Sequence, residues 1–254
     1  MKSKRKIFSI ILSVIIVSLV LYFFTPRLYY FFQLKTDTIP NVIMGSNMDY
    51  GYMYVRVKEK ELPESSVELK NYITFSDIKV GVPFVGQPIV QDYSGGRVYI
   101  FDKDQSILIS NAKTTSLLDK IQSANQEYPK YGVDLSAMFD KKILGSDIEF
   151  KKAVYNVVPS DIKFFMGEKK LRTIEWSLET KVFLDVFFKA SGKPLDQPMN
   201  IVVFYGKKFS GLQYSSGSDI KTASIEIDGL PFLRLQNVTQ AEIDAVINSI
   251  EIVE

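Results

Sequence analysis

Residues 222–250 read TASIEIDGLPFLRLQNVTQAEIDAVINSI, and the fold class turns on this stretch. Two strand-like runs, Thr222 to Ile227 and Pro231 to Leu235, flank Asp228-Gly229, a dipeptide suited to a tight turn. Thr239-x-x-Glu242 has the spacing of a capping box, in which each side chain satisfies the other residue's backbone N–H. Val238 and Ile243 are placed as its hydrophobic staple. Ile243, Val246, Ile247 and Ile250 then share one helical face. The unit predicted is strand, turn, strand and capped helix.

Upstream, Asn200 to Tyr205 is another strand. Residues 168–190 fit two patterns. Ile174, Trp176 and Leu178, then Val182, Leu184, Val186 and Phe188, alternate as two strands would. A hairpin there would turn on Glu179-Thr180-Lys181, which holds no Gly, Asn, Asp or Pro. Leu171, Ile174, Leu178 and Val182 also form a helical stripe, and Gly192 and Pro194 stop it. We expect one long, mostly buried helix. Thr114 or Thr115 caps a helix carrying Leu117, Leu118 and Ile121. Ser146-x-x-Glu149 opens another that runs to about Val158, and Ser160 starts a further helical piece. Earlier still the chain is strand-rich. Gly51 to Lys58 alternates; Ser65-x-x-Glu68 proposes a short helix to about Asn71; Tyr72 to Phe75 and Ile78 to Phe84 are strands, the second demoted to an edge or bulge by Pro83. Tyr93-Ser94-Gly95-Gly96 is a turn. Arg97 to Phe101 and Ser106 to Ile109 make a hairpin around residues 102–105.

The order is strands, helices, strands, helix. Such segregation predicts an α+β fold with a mainly antiparallel sheet and helices packed on one face. Residues 41–111 form a strand-rich part and 112–254 an α+β part, although 41–254 also fits a single domain.

The N-terminus has a different character. Residues 1–6 carry Lys2, Lys4, Arg5 and Lys6. Residues 7–24 are apolar but for Ser9, Ser13 and Ser18, with Ile7, Ile11, Val14, Val17, Leu21 and Phe24 among the lipid-facing candidates. At 1.5 Å per residue the run spans about 27 Å, close to a bilayer's hydrocarbon thickness. Its flanking cations keep the N-terminus in the cytoplasm, and Tyr22, Tyr29, Tyr30, Phe31 and Phe32 form an interfacial belt. A cleavable signal would end in small residues, whereas this run leaves through Leu21-Tyr22-Phe23-Phe24. We therefore expect a transmembrane anchor, a stalk over 25–40 bounded by Pro26 and Pro40, and a domain outside the cytoplasm, at a bacterial inner membrane facing the periplasm or the cell exterior.

Net charge is +2, but removing the four tail cations from 31 leaves 27 basic against 29 acidic residues. The folded part is thus about −2, without the basic face of a nucleic-acid binder. Cysteine and histidine are absent. Disulfides, thiol nucleophiles, thiolate metal sites and the usual general base near neutral pH are therefore absent too. No cofactor is expected.

Several patterns bear on chemistry. Ser-Asp-Ile-Lys occurs at 76–79, 160–163 and 218–221, with the Ser-x-x-Lys spacing of penicillin-binding enzymes but without their companion motifs. Helix or turn starts explain it more simply. Asp102-x-Asp104-x-Ser106 begins like a calcium loop, yet Ile107 and Lys113 stand where that loop needs Gly and an acid. Asp134 with Asp140, or Glu149 with Asp161, could act as acid pairs. Asn237-Val238-Thr239 is a sequon whose Thr already serves as a cap. Residues 207–217, KKFSGLQYSSG, have the Tyr, Ser and Gly composition of a binding loop, with Phe209, Leu212, Gln213 and Tyr214 as contact candidates. The plainer alternative is a strand and loop with Phe209 and Leu212 in the core.

No motif names a substrate. The expectation is a non-enzymatic, membrane-anchored module that captures a protein partner, an immunity-type or scaffold protein being one concrete form. An accessory subunit of an envelope complex, or a Ser-Lys or carboxylate hydrolase, are the alternatives.

Overall fold

The computed structural model describes residues 55–114, 116–127, 133–163, 166–190, 199–216 and 222–253, with Val14, Val17, Ser18, Phe31 and Phe32. Ile7, Ile11, Leu21 and Phe24 of the expected anchor lie outside the described residues. Val14, Val17 and Ser18 are helical and exposed. Phe31 and Phe32, from the expected stalk, are helical and meet edge to face at 5.5 Å. Among the described residues no helix is long and apolar enough to cross a membrane.

The fold is α+β with mainly antiparallel sheet. Its strands are β1 (Lys58–Glu61), β2 (Asn71–Phe75), β3 (Ile78–Val82), β4 (Ile89–Tyr93), β5 (Gly96–Ile100), β6 (Ser106–Lys113), β7 (Met199–Tyr205), β8 (Ser210–Ser216), β9 (Thr222–Glu226), β10 (Pro231–Gln236) and β11 (Glu251–Ile252). Eight of them form one sheet in the order β1-β7-β8-β9-β10-β6-β5-β4, and β11-β3-β2 form a second. Only β1 and β7 run parallel in the large sheet. The helices are α1 (Leu117–Glu127), α2 (Leu135–Met138), α3 (Lys141–Leu144), α4 (Asp147–Tyr155), α5 (Glu168–Ala190) and α6 (Gln240–Ser249). The possible boundary near 111–113 falls inside β6, which pairs with β10 from Ser106 to Lys113. The strand-rich and α+β parts therefore share one sheet.

Period-two burial sorts the strand residues into two cores. On one face Ile107, Ile109, Ile225, Leu233, Leu235 and Phe204 meet Val80, Val82 and Phe84 of the small-sheet region and Ile243, Val246 and Ile247 of α6. On the other, Ile201, Val203, Leu212 and Tyr214 meet Leu118, Phe139, Phe150 and Val154 from the helices between β6 and β7. Helices thus lie on both faces of the large sheet, not on one as the element order implied. The C-terminal helix returns beside β3 because its apolar stripe matches the small sheet.

Most local signals hold. The 168–190 stretch is a single helix. Ser146 caps α4, accepting the Glu149 N–H at 3.4 Å. The Thr239–Glu242 box is complete, with Thr239 N–H donating to Glu242 at 2.7 Å and Glu242 N–H to Thr239 Oγ1 at 3.3 Å. Three expectations fail. Residues 65–70 form no helix; Ser65 Oγ accepts only from Val67 N–H, and the chain extends into β2. Of the strand expected at 51–58, residues 51–54 lie outside the described residues and 55–57 are not in a strand, so only Lys58 of the described part joins β1, although Val55 and Val57 do pack on the helical core. β3 is the centre of its sheet, because Pro83 falls just after its last ladder residue.

Thr239→Ala should lower unfolding free energy by about 0.5–2 kcal/mol, read from the urea midpoint at unchanged slope, and Thr239→Asn should retain most of it.

Candidate functional site

One row of residues crosses the helix-bearing face of the large sheet. Tyr214 stands opposite Ser224, Ser224 opposite Arg234, Arg234 opposite Leu108, Leu108 opposite Val98 and Val98 opposite Gln91. Phe232, Ile100, Ile89 and Tyr93 point the same way from two residues along their strands. The β8 end of the row is roofed by helices, with Tyr214 buried in their core. At the β4 end the described residues supply no such roof. Val98, Ile100, Leu108 and Phe232 are only half-buried, belong to neither core, and pack against neither. Ile89 and Tyr93 are 65% and 54% exposed.

Four strands at about 4.8 Å spacing and five residues at about 3.4 Å make this open half roughly 300 Å². That is the size of a functional patch on a monomer. It is well short of the ~800 Å² per partner of an ordinary protein interface, so it suits one secondary-structure element of a partner rather than a whole domain face. The two ends of the sheet are also unlike. β1, at the far edge, reads Lys-Glu-Lys-Glu, a charged edge that resists strand pairing. β4 reads Ile-Val-Gln-Asp-Tyr and is exposed throughout. Gly96 is needed where β5 meets β6, since a Cβ there would lie 2.3 Å from the Ile109 carbonyl oxygen.

Arg234 sits where the roofed and open halves meet. Its Nε is buried and makes no hydrogen bond. The other described arginines pair: Arg56 with Asp161 at 2.5 Å, Arg97 with Asp92 at 2.5 Å and Arg172 with Glu168 at 2.6 Å. A buried donor left unsatisfied costs about 1–3 kcal/mol, a condition that Arg234 Nε shares with Ser177 Oγ of α5.

The contact residues expected from sequence lie elsewhere. Leu212, Gln213 and Tyr214 are interior residues of β8, and Phe209 packs partly buried against the first core. This matches the plainer alternative of a strand with Leu212 in the core: residues 210–216 are β8, Gln213 and Tyr214 point inward, and Lys207, Lys208 and Ser210 are exposed. Gln213 Nε2 donates to Gln240 of α6 at 2.8 Å, and Tyr214 OH to Glu226 at 2.8 Å.

Nor does the structure gather the other sequence candidates into a site. Asp134 caps α2, Asp140 precedes α3, Glu149 holds Lys152 at 2.9 Å, and Asp161 holds Arg56. Ser76 turns between β2 and β3 at φ 54°, and Ser160 lies in a short 3₁₀ turn, while 218–221 falls outside the described residues. Asp102–Asp104 is the tip of the β5–β6 hairpin. Asn237 donates its side-chain amide to the Asp104 carbonyl at 2.8 Å.

Two buried lysines were not legible beforehand. Lys151 of α4, 3% exposed, contacts Asp147 at 2.7 Å, Glu226 at 2.9 Å and Asp228 at 2.8 Å. Burial opposes its charge, but the three carboxylates outweigh it and hold its pKa above the ordinary lysine value. Burial likewise pushes Asp147 up, and hydrogen bonds from Lys151 and the Leu118 N–H bring it below the usual carboxylate range. Asp228 stays raised, chiefly by burial. This cluster ties the helical layer to the β9–β10 turn. Lys181 of α5, 2% exposed, donates to the Val55 and Val157 carbonyls at 2.9 and 2.7 Å. Burial, with Arg56 nearby and Asp161 only partly offsetting it, lowers its pKa to about 7. Ser177, one turn earlier, is fully buried and its Oγ makes no hydrogen bond. Neither side chain reaches solvent, so Lys181 acts as a staple between segments and not as a reachable nucleophile.

Comparisons with protein-family models, with curated proteins and with solved structures find no match.

Two stability effects follow from the lysines. Lys151→Ala strands three carboxylates and should cost about 3–5 kcal/mol at pH 7 by urea unfolding. For Lys181 the folded value, about 7, lies below the ordinary 10.5, so the unfolded chain binds the extra proton between them. The penalty is full below pH 7 and is relieved as pH rises, so unfolding free energy should climb by on the order of 1–3 kcal/mol from pH 7 to 9.5. Lys181→Met should remove most of that slope; an equal slope in the variant refutes the assignment.

Proposed function

We propose that this chain is a non-enzymatic protein-binding module, tethered to a membrane by residues 7–24 and displayed outside the cytoplasm, whose partner docks on the open half of the large sheet. One observation carries the reading: Val98, Ile100, Leu108 and Phe232 form an apolar surface on a finished sheet yet join neither core. Apolar side chains at such positions raise the free energy of the isolated chain, and a partner recovers it by burial at about 25 cal/mol per Å².

Tethering is supported by the residue pattern of the N-terminal run, and by the exposure of Val14 and Val17, two helical valines that only an apolar surrounding would favour. A protein segment suits this surface because β4 is an edge strand exposed along its whole length, beside the half-buried Val98 and Ile100 of β5.

The reading is tested by placing a photo-crosslinking residue at Val98, or at Val90 on the opposite face of β4, in the full chain in its own membrane. A discrete protein adduct from position 98, lost when Leu108 is replaced by Glu in a variant that melts normally, is the expected result. Adducts from position 90 alone would put the partner against the opposite face, and the absence of any adduct would remove the reading.

A further inference from the structure

We propose that the free edge of β4 pairs antiparallel with β4 of a second copy of this chain, joining the two large sheets across a two-fold axis at Gln91. This goes beyond the binding role above. It uses the backbone edge of the strand, whereas that role uses the face of the sheet, so either can fail without the other.

The hydrogen-bond pattern says which backbone groups β4 has left to offer. Along an antiparallel ladder, successive residues turn their N–H and C=O alternately to one neighbour and to the other. Asn111 N–H donates to the Gly95 carbonyl at 2.9 Å, and Phe101 N–H to the Gln105 carbonyl at 2.8 Å, both in the register that sets Arg97 opposite Ile109. Residues 95, 97, 99 and 101 therefore face β6, and Gly96, Val98 and Ile100 face β4. Their partners Tyr93, Gln91 and Ile89 are thereby engaged. Val90 and Asp92 point their N–H and C=O groups outward, and no described strand lies beyond them. Every residue of β4 is exposed, Val90 by 49%, so the edge is open to an incoming strand. Such an edge is a template for pairing unless charge protects it, as it does on β1. The one charge on β4 is Asp92, and Arg97 of β5 already holds it at 2.5 Å.

Three two-fold registers bring these outward groups together. An axis at Asp92 sets two carboxylates directly opposite each other, which is destabilising. An axis at Val90 sets Asp92 against Pro88 of the other copy, and proline has no N–H to give. An axis at Gln91 sets Val90 against Asp92 of the other copy on both sides of the axis, as two hydrogen-bonded pairs. The two Asp92 carboxylates are then only diagonal neighbours, about 7–8 Å apart, each with its own arginine. Ile89 lies against Tyr93 of the other copy, covering side chains that are 65% and 54% exposed in the single chain. At the axis the two Gln91 amides meet. Each Oε1 accepts from its own Tyr93 hydroxyl at 2.8 Å and keeps a lone pair for the other amide. The strand is thus complementary to itself in charge, apolar area and hydrogen bonds, a match that a foreign strand would have to reproduce. One edge about 17 Å long falls far below the ~800 Å² per side of a stable dimer, so the pair is weak and concentration-dependent.

The chain has no cysteine, so introduced cysteines report the register directly. The two Gln91 residues form a pair without backbone hydrogen bonds, with Cα atoms about 4.5 Å apart and within disulfide reach. Two copies of residue 89 lie about 14 Å apart. The full chain in its own membrane, carrying Gln91→Cys or Ile89→Cys, is treated with a mild oxidant, and chain-to-chain disulfides are read on a non-reducing gel. Gln91→Cys should give at least tenfold more covalent dimer than Ile89→Cys. Differently tagged chains carrying Ile89→Cys and Tyr93→Cys, produced together, should link to each other and not to themselves. Val90→Pro removes an outward N–H that β5 does not use, and should lower the Gln91→Cys dimer about tenfold at unchanged melting temperature. Val90→Lys should lower it too, leaving the backbone intact. Equal yields at 89 and 91, or a Gln91→Cys dimer untouched by both Val90 variants, overturn the pairing. So does the absence of a disulfide at 91, which leaves the edge to a foreign strand. None of these outcomes alters the photo-crosslink at Val98 on which the binding role is judged.

Discussion

A pleated sheet presents two faces, and water must be kept from both wherever the side chains are apolar. In this chain the requirement is met unequally. The small sheet and α6 close one face along its whole working length, through Val80, Val82, Phe84, Ile243 and Val246. Among the described residues the helices between β6 and β7 close the other face only as far as β9. What distinguishes the molecule is the remainder: half-buried Phe232, Leu108, Val98 and Ile100 on β10, β6 and β5, an exposed β4, and an arginine at the line where that helical cover stops.

Charge placement reinforces that division. The buried ionic contacts lie at the seams between layers. Lys151 joins α4 to Glu226 and Asp228 of the sheet, Lys60 joins β1 to Asp244 of α6 at 2.5 Å, and Lys181 joins α5 to the segment that leads into β1. Each has lost its water and gained specific partners, which adds little net stability but makes any other docking of the layers expensive. Arg234 breaks the rule, being the described arginine whose seam has only one side.

Local structure was well inscribed in the sequence where a few adjacent residues decide it. Thr239 and Glu242 announce their helix, Ser146 announces α4, and the absence of turn formers at 179–181 favours a helix over a hairpin there. Pairings between distant segments were not so inscribed. The parallel match of β1 with β7, and the contact of Lys60 with Asp244 184 residues away, are carried by no local signal. The same limit hid the candidate face. Val98 and Ile100 alternate with Tyr99, and Phe232 alternates with Leu233, so both parities of these strands are apolar. Apolarity on both sides signals a doubly covered strand, and only the assembled sheet reveals that one of the two covers is missing. Residues 207–217 have the composition of a contact loop, but inside the fold Gln213 pairs with Gln240 of α6 and Tyr214 with Glu226.

The order of strands across the large sheet has a mechanical corollary. β1 is the strand at one edge of the large sheet, and β4 is the last strand in the other direction. Seven spacings of about 4.8 Å separate them, some 34 Å. β1 and the fully exposed β4 therefore stand at opposite tips of the sheet, which works as an outrigger: a load taken at one tip is carried to the other through the whole row of strands.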